Sequence, residues 1–416
     1  MTADSGARQR AREMEAALHP GSDVGPAARA HVPRIFAAAC LGMLVFGVVL
    51  TTLGAVVPLV TARFELTKET AASLFPLLSF GILAGSIVFG PIVDRYGYKV
   101  ILLAATALTI VGIEGIAFAS SVDALRAGVL VIGFGGGIIN GATNALVADI
   151  SVAGRSAGLS LLGIFFGIGA VGVPFALGVL LGAYSYSLIL AMVGVLVLAP
   201  LAFMAATRFP APKQAQGFPI ADGIRLLREP FILLTGLMLF LESGMEITVG
   251  GWTATFFADE LGVAARWTLV LLALYWLGLM LGRLALGTVL RTISPARAMF
   301  GCIALGLAGS ALLVGAHQVA GAALGVLLLG AGFAATFPVV LGFVADRYSA
   351  LSGTAFSIVI AMALVGGMLL PYVAGLLGSA YGLRTAFMLV PAALVLLALL
   401  LSVAARRAAV AGATIR

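Results

Sequence analysis

Gly81-Ile-Leu-Ala-Gly85-Ser-Ile-Val-Phe-Gly90 returns 197 residues later as Gly278-Leu-Met-Leu-Gly282-Arg283-Leu-Ala-Leu-Gly287. Three glycines keep one register inside runs that are otherwise largely apolar. The same offset carries Gly54 onto Gly251, Val147-Ala148-Asp149 onto Val344-Ala345-Asp346, Ser160 onto Ser357, Pro174 onto Pro371, Gly178 onto Gly375 and Tyr184 onto Tyr381. A single spacing that persists from the first helix of a half to the end of the fifth marks a duplicated unit. A shared need for small residues would not preserve register over that distance.

Around this repeat, the composition excludes a water-soluble fold. Hydrophobic residues make up 62% of the chain and charged ones 10%, with a mean hydropathy of +1.15. A soluble domain carries roughly 25% charged residues, so this chain lacks the material for a hydrated surface. It offers instead many runs near the roughly 20 residues needed to cross hydrocarbon as a helix. Its 53 glycines suit close helix contacts in lipid. The expected fold is an all-α membrane protein with spans at 35–62, 70–93, 98–119, 125–147, 157–181, 186–206, 231–257, 267–290, 295–316, 319–345, 352–378 and 384–404. These divide into a tail (1–34), expected to be disordered with one short helix around Ala7–Leu18, and a first six-helix bundle (35–206). A polar linker (207–230), a second bundle (231–405) and a final tail (406–416) follow.

Of the 24 Lys and Arg residues, 18 fall on the side of the termini and 5 on the other. By the positive-inside bias, the tails and the linker are therefore expected to be cytoplasmic. The net charge of +7 sits in short loops and is read as topology, with no nucleic-acid partner. Six spans per half insert both halves in one orientation, related by an axis along the membrane normal, an arrangement suited to rocking transport. Short loops and the absence of an organelle signal point to a bacterial inner membrane. Cys40 and Cys302 lack metal-ligand or disulfide spacing and are expected to pack as small apolar groups.

Ionisable groups inside spans are costly and by default are candidates for functional sites. Four stand out: Glu114, Glu242, Glu246 and Arg283. Glu242 and Glu246 stand four residues apart and therefore share one helix face near the middle of their span. Two carboxylates so close resist ionising together, which favours a proton-coupling role; packing against Arg283 is the competing reading. Asn140 and Asn144 repeat the spacing on span four, and their amides suit a polyhydroxylated ligand or interhelical contact. Phe165, Phe166, Trp252, Tyr275 and Trp276 supply aromatic faces. Trp252 is favoured because Gly250-Gly251 before it are expected to break the helix and open a cavity.

The loop after the second span reads Gly90-Pro-Ile-Val-Asp94-Arg95-Tyr-Gly97-Tyr98-Lys99. It resembles the signature of the major facilitator superfamily, with Tyr98 where that family usually has Arg or Lys. The resemblance implies gate roles for Gly90, Asp94, Arg95, Gly97 and Lys99, with Asp94 facing the start of span eleven around 352–356. The second half carries Arg291 at the matching position. Glu246-Ile-Thr-Val-Gly250-Gly251-Trp252 and Tyr275-Trp276-Leu-Gly278-Leu-Met-Leu-Gly282-Arg283 resemble the fucose-permease-like branch. That likeness makes Glu246 and Trp252 candidate substrate or coupling residues and sets Arg283, a candidate conformational residue, on the branch's Gly-Arg position. Asn140, Asn144, Phe166 and Tyr275 are candidate substrate contacts through their own amides and rings. The acid that this branch carries in its first span is replaced here by Thr51 and Thr52. The expectation is a monomeric, proton-coupled carrier of a monosaccharide or related polyol, without cofactor or catalytic residues. The rivals are an exporter of amphipathic drugs or lipids and a transport-inactive receptor or scaffold.

Overall fold

The computed structural model describes residues 32–150, 155–210, 226, 228–290, 292–348 and 352–410. Among them are twelve helices long and apolar enough to cross a membrane: α1 (Val32–Phe64), α2 (Lys68–Phe89), α3 (Tyr96–Ala117), α4 (Val122–Val147), α5 (Leu162–Leu180), α6 (Tyr186–Ala206), α7 (Pro230–Leu261), α8 (Ala265–Val289), α9 (Pro295–Gly315), α10 (Val319–Val344), α11 (Ile358–Tyr381) and α12 (Leu383–Ala405). The spans expected from the sequence match these one for one. Two ends differ. The first helix begins at Val32, where Pro33 suits the opening turn of a helix. The last runs on to Val410 because Ala404, Ala405, Ala408 and Ala409 are strong helix formers. The tail to residue 31, the short helix expected in it, and linker residues 211–225 lie outside the described residues.

The duplication is repeated in the contacts. A methyl group built on Gly81 would lie 2.6 Å from the Leu130 carbonyl oxygen, and one on Gly278 2.2 Å from that of Leu327. One on Gly133 would lie 2.5 Å from the Leu78 oxygen, and one on Gly330 2.1 Å from that of Tyr275. Both residues of each contact move by the same 197 positions. The glycines thus bring α2 onto α4 and α8 onto α10 backbone to backbone, which is how helices gain packing energy where lipid supplies no hydrophobic drive.

Most of the contact between the halves is made by three pairs of helices: α5 with α8, α2 with α11, and α1 with α7. The offset maps α5 onto α11 and α2 onto α8, so the first two pairs are symmetry mates around the third. An even number of crossings leaves both ends of the helical part on one face, called here the terminal face; the other is the distal face. The chain bends at the start of α3, where Gly97 has φ 77° and ψ 170°, a region open essentially to glycine alone. The environment of Gly90, the side chains of Asp94 and Arg95, and the docking of Asp94 on residues 352–356 lie outside the described residues. Lys99 is half-buried.

Candidate functional site

Helix α7 is unbroken from Pro230 to Leu261, and Glu246 lies at its middle, sixteen residues past Pro230. Glu242 and Glu246 are both buried, at 2% and 8% exposure. Their fates differ. Oε2 of Glu246 lies 3.5 Å from Nη2 of Arg283 on α8. Glu242, one turn earlier on the same face, is near enough to Glu246 and Arg283 for both charges to act on it, yet its Oε1 has no hydrogen-bond partner among the described residues. The guanidinium of Arg283 also lies over the Phe166 ring of α5, 5.4 Å from the centroid. Arg283 therefore joins the carboxylate of one half to an aromatic face of the other.

Trp276 completes the arrangement. Its ring stands 6.3 Å from Phe166 and 4.9 Å from Tyr275, edge-on to both. It lines two narrow clefts. The first is walled by Gly163, Phe166, Gly167, Leu279, Met280 and Arg283. The second, distal one is walled by Leu50, Gly54, Phe75, Leu78, Ile247, Gly250 and Gly251, and has room for about one water molecule. Three buried polar atoms near the seam between the halves have no hydrogen-bond partner among the described residues: Oε1 of Glu242, Nε of Arg283 and Nε1 of Trp276. Buried polar groups normally find partners. An acceptor and two donors left open at this seam make it the candidate site.

The other candidates divide. Tyr275 is fully buried, and its hydroxyl donates to the Glu246 carbonyl at 3.1 Å; it fixes α8 against α7 at the level of the carboxylates. The Asn144 amide donates to the Asn140 backbone and side-chain oxygens at 2.9 and 3.0 Å. On α4, Gly136 and Thr143 meet α1 through Val49 and Met43, while Gly137 and Gly141 meet α2 through Ile82 and Phe89. Asn140 and Asn144 occupy the half-buried strip between these two lines, on the side turned to the seam between the halves. Their described hydrogen bonds are local to α4, and none of them reaches the carboxylates. Glu114 packs its carboxylate against Gly194 of α6, away from the seam. Cys40 is free and buried, and Cys302 free and half-buried.

Trp252 sits elsewhere than the sequence led one to expect. Gly250 and Gly251 do not break α7; they let α1 cross it, and a methyl group on Gly54 would lie 2.2 Å from the Gly250 oxygen. Trp252 is 1% exposed, donates from Nε1 to the Pro371 oxygen at 2.9 Å and packs on Phe75, 5.4 Å between centroids. It closes the distal end, and the indole at the clefts is that of Trp276. A signal for Trp276 was present, since it precedes Arg283 by seven residues, two helical turns on one face.

Residues 39–355 match the model of the Major Facilitator Superfamily. The chain belongs to that superfamily. As such it is a multi-pass membrane protein of a transporter family. It is 25% identical over 287 residues to Bypass of stop codon protein 6 of Saccharomyces cerevisiae, covering 60% of this chain and 56% of that one. It is 24% identical over 225 residues to the arabinose-proton symporter of Escherichia coli, covering 52% and 46%. The chain thus spans about half the length of the curated relatives it matches. Among solved structures, the D-xylose-proton symporter superposes with a TM-score of 0.74 at 16% identity, over 89% of this chain and 97% of that one. The nucleoside transporter NupG gives 0.74 at 15%, over 89% and 99%. The fucose:proton symporter FucP of E. coli gives 0.64 at 18%, over 88% and 97%.

Proposed function

We propose that this superfamily member is a proton-coupled secondary transporter of a small polar solute, a monosaccharide or related polyol, working by alternating access of its two halves. The observation that carries this reading is the unequal carboxylate pair. Glu246 has the Arg283 guanidinium beside it. Glu242 is sealed from water with an oxygen unpaired, a state costly for an ion at this depth, so it carries a proton while the site is closed. Opening toward water on either face lets Glu242 exchange that proton, and solute binding at Arg283 and Trp276 couples occupancy to the exchange. By the basic-residue bias, the terminal face is cytoplasmic, and the membrane is a bacterial inner membrane.

The coupling test uses Glu242→Gln in proteoliposomes. An amide of the same shape cannot exchange a proton, so solute counterflow is expected to persist while accumulation driven by a pH gradient is lost. Undiminished gradient-driven accumulation in Glu242→Gln rules the role out. The indole is tested by Trp276→Phe, which keeps an aromatic face and removes the unpaired N–H. The solute concentration for half-saturation is expected to rise about 3- to 10-fold, the worth of one hydrogen bond, with thermal stability unchanged. A screen of sugars, sugar acids and organic cations by thermal shift supplies the ligand for both.

The apolar wall of the distal cleft, formed by Leu50, Phe75, Leu78 and Ile247, favours a second reading beside the carboxylates: export of amphipathic cations. Ethidium-like cations that stabilise the purified protein where sugars do not would select it.

A further inference from the structure

The distal face is closed by contacts that run from one half to the other. Nζ of Lys68, at the start of α2, lies 2.8 Å from Oδ2 of Asp259 at the end of α7. The Ser379 hydroxyl of α11 donates to the Glu69 carboxylate. Beneath this polar layer, Ala72 packs on the site of Gly375 and Phe75 on Trp252. Further in, Ser79 Oγ donates to the Gly367 oxygen at 3.2 Å, and α1 meets α7 at Gly54.

We propose that Lys68–Asp259 together with Glu69–Ser379 is a polar latch, which sets the balance between the distal-closed and distal-open states whatever the solute. Both ends of the latch are borne on firm supports. On one side, Thr67 caps the helix start, its Oγ1 accepting from the Thr70 N–H at 3.2 Å. On the other, Glu260, next to Asp259, lies 3.5 Å from Nε of Arg384, and Arg384 also donates to the Val314 and Ala316 carbonyls. The end of α7 is thereby tied to the α9–α10 turn and to α12, so a pull on Asp259 is a pull on the second half as a body. Lys68 also runs against the charge bias that keeps basic residues on the terminal face. The side chains of Lys68 and Asp259 keep 34% and 40% of their surface exposed. Solvent and salt therefore weaken the pair, as suits a contact that breaks in every cycle.

The experiment reads the distance between spin labels at Ala62→Cys on the first half and Ala264→Cys on the second, both exposed distal positions. The background is Cys40→Ala/Cys302→Ala, and each variant is first shown to be monodisperse. Lys68→Ala is expected to raise the ratio of long to short distances about 2- to 5-fold. Lys68→Asp, which sets like charges against each other, raises it further. The exchange Lys68→Asp/Asp259→Lys returns the parent distribution. Raising salt to about 1 M opens the parent as Lys68→Ala does and leaves Lys68→Ala unmoved. Arg63→Ala is the control: that arginine bonds Tyr186 within its own half, at 2.7 Å, and moves nothing. A parent-like distribution in Lys68→Asp overturns the latch, as does an exchange variant that opens as far as the single ones.

Discussion

Gly54→Val is expected to abolish most transport while leaving the protein folded. The α1–α7 crossing is backbone against backbone, with the methyl position at Gly54 2.2 Å from the Gly250 oxygen and 3.1 Å from the Gly251 Cα. Main chain cannot step aside as a flexible side chain does, so the helices must part by an ångström or more before even a methyl group fits. Overpacking of this kind costs about 1–3 kcal/mol. Because α1 and α7 belong to different halves, that cost falls on the distal-closed state and spares the folding of either half. It corresponds to about a 5- to 150-fold shift toward the distal-open state. Helix propensity does not oppose the change, since glycine is the poorer helix former. Gly366→Ala gives the contrast: its methyl group would lie 1.9 Å from the Phe240 oxygen, across α7 and α11 of the same half. That variant is expected to lose folded protein. Transport of Gly54→Val at the parent rate would show that this crossing does not close during the cycle.

Arg283→Met is expected to be the most destabilising single change at the site. It removes the cation from Glu246, which is 8% exposed, and leaves two buried carboxyl groups facing one another. Taking one partner from a buried pair costs about 3–5 kcal/mol. The lower end applies here, because Arg283 keeps 25% of its side chain exposed and part of the pairing is already screened. The variant also loses the contact of the guanidinium with Phe166. Arg283→Met/Glu246→Gln should recover most of the lost stability, since it leaves no unpaired charge behind, and should remain inactive. Folded monomer remaining after heating in detergent, followed by size-exclusion chromatography, measures both. Equal heat resistance of the parent and Arg283→Met would mean that the pair is not formed in the membrane protein.

The glycine crossing and the arginine pair differ in how far the sequence foretold them. The register joining Gly54 to Gly251 was plain in the repeat, but not that Gly54 meets its own symmetry mate and that residue's neighbour across the seam. The i, i+4 spacing put Glu242 and Glu246 on one face, and the intraspan position of Arg283 named it as a possible partner. Spacing along a helix fixes which side chains travel together; it does not fix how that helix is rotated against its neighbours. Trp252 and Trp276 show the consequence, since either indole fitted the expected cavity wall and only helix rotation separates them.

What the sequence determined by itself was the lipid-facing economy of the chain: twelve spans, two halves in one orientation, and glycines where helices press together. Those features follow from apolar content and local period, which every stretch carries within itself. The tertiary structure decided which buried acid has a cation, which aromatic ring stands at the seam, and that Lys68 meets Asp259 across the halves on the distal face. These depend on contacts between residues far apart in the chain, and a distance in sequence holds no record of them.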